Sequence, residues 1–125
     1  MSHIKEVNVF TNGDSKNIAT WSNIPYFLCE TLLSEGIKVN RIDLSPNKIL
    51  HKYFNKTILR LIILLNKNST YEYFRSIYHF IDIKLRIKRE VNKYPNSEIN
   101  IFLTFTFSSF GLKQKPAIQI CDWTY

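Results

Sequence analysis

Glu6-Val7-Asn8-Val9-Phe10-Thr11, running straight into Asn12-Gly13-Asp14, reads as a strand that ends in a turn. Val7 and Val9 alternate with polar neighbours, and Phe10 extends the apolar run. Gly and Asp then supply the turn chemistry that stops it. The loop continues to about Ser22. Pro25 suits the first turn of a helix, where its missing N–H costs nothing. From there Tyr26, Phe27, Cys29, Leu32 and Leu33 recur at helical spacing, and Gly36 stands where a left-handed C-cap closes a helix. Residues 38–44 alternate again through Val39, Ile42 and Leu44, until Ser45-Pro46-Asn47 breaks the pattern. Strand, helix and strand in this order imply a parallel pair joined by a right-handed crossover.

The middle of the chain reads as helical. Leu50, Phe54, Ile58, Leu61 and Leu65 mark one face of a helix over 48–66. Asn68-Ser69-Thr70 interrupts it, with Thr70 as the expected N-cap of a second helix. That helix carries Tyr73, Phe74, Ile77, Ile81, Leu85, Ile87 and Val91 and stops before Tyr94-Pro95-Asn96. Residues 99–107 are nearly continuously apolar, as expected of a strand covered on both faces of a parallel sheet. Ser108-Ser109-Phe110-Gly111 follows as a loop. Residues 116–121 form a fourth strand, and Asp122 emerges just beyond it. The expected fold class is α/β, a Rossmann-like parallel sheet of about four strands with flanking helices. The expected organisation is a single partial domain over 1–125, incomplete at the C-terminus because no helix follows the last strand.

Composition narrows the classes. The chain has 125 residues, 45% hydrophobic and 14% aromatic, with only 3 Gly and 4 Pro. This is enough for one domain with a core, and it excludes disorder or a collagen-like repeat as the main content. No apolar run approaches the roughly 18–20 residues that cross a bilayer. Residues 1–6 hold no apolar stretch of a secretory leader. Cys29 and Cys121 stand far apart in apolar surroundings, which fits reduced thiols. The expected location is cytoplasmic, with peripheral contact at the inner membrane face.

The net charge of +7 is concentrated. Residues 48–93 hold eleven basic side chains against three acids, and the remainder is close to neutral. Lys48, Lys52, Lys56 and Arg60, four apart, form a charged stripe beside the apolar one. A basic amphipathic helix of this kind fits an anionic membrane surface. Nucleic acid fits less well, because the aromatics lie within apolar stripes and no RNA-binding signature is present.

Open α/β sheets bind ligands outside the carboxyl ends of their strands. Those ends are Asn12-Gly13-Asp14, Ser45, Ser108-Ser109 and Asp122. No G-x-G-x-x-G and no Walker lysine pattern follows any strand, so no cofactor is expected. His3, His51 and His79 have no ligand spacing with the cysteines, so no metal is expected. No nucleophile elbow surrounds Ser108 or Ser109.

Ala19-Thr20-Trp21-Ser22-Asn23-Ile24-Pro25-Tyr26, with Phe105-Thr-Phe-Ser-Ser109 and Cys121-Asp-Trp-Thr124, resembles the N-terminal half of GT-B-fold glycosyltransferases of the group 1/family 4 kind. The likeness extends over nearly the whole chain through short motifs. It departs at Asn23, where a glycine is expected, although Asn tolerates positive φ better than most residues. The resemblance implies an acceptor-side domain of an enzyme that moves a hexose from a nucleotide sugar to a sugar or lipid-linked acceptor. It implies that Asn12, Gly13, Asp14, Trp21, Ser22, Ser108 and Ser109 face the acceptor. Asp122 would accept the proton of the attacking hydroxyl, or orient it. The nucleotide-sugar donor would be held by a C-terminal domain that these residues do not include, leaving this chain inactive alone. Two other readings stay open: a non-catalytic basic module on a membrane surface or nucleic acid, and a degenerate fragment.

Overall fold

The structure is a computed structural model that describes residues 3–103 and 115–120. Four strands are described: β1 (Glu6–Thr11), β2 (Lys38–Asp43), β3 (Ile99–Phe102) and β4 (Ala117–Gln119). They form one sheet in the order β2-β1-β3-β4, and every pairing is parallel. With helices flanking it, this is the α/β, Rossmann-like arrangement that the alternation of strand and helix patterns predicts.

β1 is buried at all six positions, because it has a neighbour on each edge and cover on both faces. Val7 and Val9 pack on one face with Ile101, Leu103 and Cys29, bordered by Leu28, Leu32 and Ile37. Burial of each such aliphatic side chain stabilises the fold by about 1.5–3 kcal/mol. Glu6, Asn8 and Phe10 point to the opposite face. There Asn8 stands in register with Asn40 on β2 and Asn100 on β3. Asn40 donates to Asn8 Oδ1 at 3.0 Å, and Asn8 donates to Asn100 Oδ1 at 2.9 Å and to Ser97 Oγ at 2.8 Å. The carboxamides thus hydrogen-bond in a row across three strands, which offsets much of the cost of burying them, while Asn100 Nδ2 finds no partner among the described residues. One row further along, Phe10 stacks on Phe102 with ring centroids 4.7 Å apart.

Helix α1 (Ile24–Ser34) begins with Pro in its first turn and buries Cys29. Gly36, at φ 79°, closes it in a Schellman motif. Gly36 N–H donates to Leu33 O and Ile37 N–H to Leu32 O, both at 3.0 Å, and the two apolar partners Ile37 and Leu32 join the core.

The chain divides into two compact units, Met1–Ser45 with Arg86–Tyr125, and Pro46–Leu85. The first holds the sheet and α1. The second differs from expectation in three ways. Residues 48–66 form two helices, α2 (Lys48–Lys56) and α3 (Ile58–Leu65), separated at Thr57 with φ −114° and ψ −73°. The Thr57 hydroxyl donates back to Tyr53 O at 2.7 Å, a bond known to bend helices. Of the expected apolar stripe, Phe54 is buried, while Leu50, Leu61 and Leu65 are exposed. Thr70 caps no helix. Helix α4 (Ile77–Lys93) starts at Ser76, whose Oγ accepts from His79 N–H at 3.2 Å. Ahead of it, the short 3-10 turn Tyr73–Arg75 places Tyr73 against Phe54, Phe74, His51 and His79.

Candidate functional site

The sheet order decides where a site belongs. β1 connects to β2 on one side, while β3 lies on the other side of β1, so the connections diverge between β1 and β3. Side chains and loops at the carboxyl ends of those two strands border the crevice in which open α/β sheets take ligands.

The loop after β1 is built by short polar contacts. Thr11 Oγ1 donates to Gly13 O at 2.6 Å, and Thr20 Oγ1 donates to Asp14 O at 2.7 Å. Asp14 Oδ1 accepts from Lys16 N–H at 2.9 Å, an Asx turn. Gly13 has φ 114°, and a Cβ there would meet Thr20 Cγ2 at 2.9 Å. Glycine is therefore required twice over, by dihedral and by space. Its N–H donates at 3.0 Å to Asp43 Oδ1, which also accepts from Ser45 N–H at 2.7 Å. One carboxylate at the end of β2 thus pins the loop after β1. Arg86 holds the same corner by donating to Ser45 O at 2.7 Å and Asp43 O at 3.1 Å. Arg41 ties Ser15 O at 2.9 Å and pairs with Glu30 of α1.

Just before α1, Trp21, Ser22 and Asn23 all adopt positive φ, at 42°, 56° and 61°. Left-handed backbone costs L-residues roughly 1–2 kcal/mol each, so three in succession concentrate strain at the strand-end surface. Trp21 is half-buried and packs on the core cluster, which holds part of this turn in place. Ser22 and Asn23 are exposed.

The expected acceptor residues Asn12, Gly13, Asp14, Trp21 and Ser22 therefore flank one loop system after β1. Asn12 and Asp14 are exposed and Gly13 is half-buried. Ser108, Ser109 and Asp122 lie outside the described residues. Lys48, Lys52 and Lys56 are exposed along α2 at four-residue spacing. Arg60 is exposed too, but it belongs to α3, beyond the break at Thr57, so the stripe does not lie on one helix. Asp43, Thr20 and Arg86 were not among the expected site residues, Thr20 entering only through the motif at 19–26. Asp43 carried a legible signal, a carboxylate at a strand end one position ahead of Leu44-Ser45-Pro46.

Two titrating groups are displaced in the first unit. Burial pushes the Cys29 thiol above its ordinary range, against the smaller opposing pull of Arg41 and the neighbouring Ser15 hydroxyl. Burial thus favours the neutral thiol over the thiolate. The Asn40 carboxamide, with the Lys38 ammonium, holds Glu6 below the usual carboxylate range. No cluster of three or more His, Cys, Asp or Glu able to hold a metal occurs among the described residues. Among them, too, no helix is long and apolar enough to cross a membrane. Comparison of the chain with protein-family models, curated proteins and solved structures finds no match.

Proposed function

We propose that the loop system after β1 binds the acceptor of a sugar-transfer reaction, as the acceptor-side part of a glycosyltransferase. The observation that carries this reading is the divergence of connections between β1 and β3, at whose carboxyl edge stands a glycine-requiring loop beside three left-handed residues. Its polar side chains suit hydroxyl recognition: Asn12 offers both donor and acceptor atoms, Asp14 accepts, and Ser22 does either. The exposed part of Trp21 offers an apolar surface beside them. The resemblance of residues 19–26 to the entry of the first helix in GT-B-fold enzymes supports the same assignment. Ser108 and Ser109 are proposed to complete the pocket. Asp122 is proposed as the base that takes the acceptor proton, or as the group that orients the hydroxyl. The nucleotide-sugar donor is proposed to be held by groups outside this loop system.

Saturation-transfer NMR on the purified chain tests this with simple hexosides, a short-chain glycolipid and two nucleotide sugars. Transfer to a hexoside or the glycolipid, and none to the nucleotide sugars, is the expected result. Preferential binding of the nucleotide moiety, or no binding of any sugar, overturns it.

A further inference from the structure

Helix α3 reads Ile-Leu-Arg-Leu-Ile-Ile-Leu-Leu, apolar everywhere but Arg60, yet none of its residues is buried. Leu61, Leu64 and Leu65, which share one helical face, are 61%, 78% and 89% exposed. A surface of this kind on a protein unit marks a contact with something else. Its surroundings say what. The unit Pro46–Leu85 carries seven basic residues against two acidic ones, and Lys48, Lys52 and Lys56 lie exposed on the adjoining α2. A second copy of the chain would bring the same excess of positive charge against it, and like charges oppose that pairing. Nucleic acid would take the lysines but has no use for a face of leucines. An anionic bilayer surface uses both: apolar side chains enter the acyl boundary while lysines meet the headgroups.

We propose that α2 and α3 form a peripheral membrane-docking element, in which Leu61, Leu64 and Leu65 insert into the interface. Lys48, Lys52, Lys56 and Arg60 bind anionic lipid headgroups around them. An eight-residue helix rises only about 12 Å, so it lies in the interface and does not span. The inference stands on the second unit alone and does not depend on the sugar site.

The experiment is flotation of the whole chain with phosphatidylcholine vesicles, with and without phosphatidylglycerol, at low and high salt. Binding is expected only with the anionic lipid and is weakened by salt. Replacing Lys48, Lys52, Lys56 and Arg60 together by Gln should weaken it by about 100-fold or more. Replacing Leu61, Leu64 and Leu65 by Ser should weaken it by about 10-fold or more, with circular dichroism and melting unchanged because all three are exposed. In a Leu65→Trp chain, tryptophan emission should shift to the blue with anionic vesicles and be quenched by brominated acyl chains. Absence of vesicle binding by the folded chain overturns the proposal. So does binding indifferent to the leucines, or a dimer in sedimentation that shields Leu65→Trp without lipid. Retention of single-stranded DNA without vesicle binding would overturn it in favour of nucleic acid.

Discussion

Gly13 shows how one residue fixes the strand-end surface. Its φ of 114° and the 2.9 Å approach to Thr20 Cγ2 leave no room for a side chain. Gly13→Ala should therefore cost about 1–3 kcal/mol, read by urea denaturation. Thr20→Ser in the same chain removes Cγ2 and keeps the hydroxyl that donates to Asp14 O, so it should recover part of the loss. No recovery would mean that the dihedral alone sets the cost. Glu6 carries a pH dependence of defined sign. Its folded-state pKa lies below the ordinary glutamate range, so its contribution is fully present above that range and is lost as pH falls through the folded value. The stability gap between the native chain and Glu6→Gln should accordingly be widest above the ordinary glutamate range and close in acid. A gap that widens on acidification would contradict the assignment.

At the scale of the elements, the caps and the breaks separate what can be read from what cannot. Ser76→Ala removes the hydroxyl that accepts from His79 N–H, and should lower stability by about 1 kcal/mol. Thr70→Ala should change little, since Thr70 caps no helix; the two melting curves compared side by side decide between them. The first strand, α1 and β2 were legible because alternation, Pro25 and Gly36 all agree locally. The break at Thr57 was not, since residues 48–66 contain neither Gly nor Pro and keep a continuous helical period. At the break the Thr57 hydroxyl bonds back to Tyr53 O, a contact that bends helices and that periodicity does not encode. Asn8 reads only as a polar neighbour of Val7 and Val9, and its burial was not legible for a similar reason. Its burial depends on register with Asn40 and Asn100, and their positions follow only from strand pairing. At the site, the sequence placed Asn12-Gly13-Asp14 at a strand end, and it anticipated a positive φ at Asn23. It could not show that Trp21 and Ser22 share that conformation, because neither residue type favours it.

Across the whole molecule, two kinds of surface belong to different units. The first unit gathers polar loops at the carboxyl edge of a parallel sheet, where the sugar acceptor is proposed to bind. The second carries basic residues and exposed leucines, suited to an anionic lipid surface. Amide chemical-shift mapping tests the proposed sugar binding. Titrating the isotopically labelled chain with the hexoside that binds best should perturb the amides of Asn12, Gly13, Asp14, Ser22 and Asn23, leaving Lys48–Leu65 unmoved. Perturbations confined to the second unit, or none at saturating sugar, would contradict it.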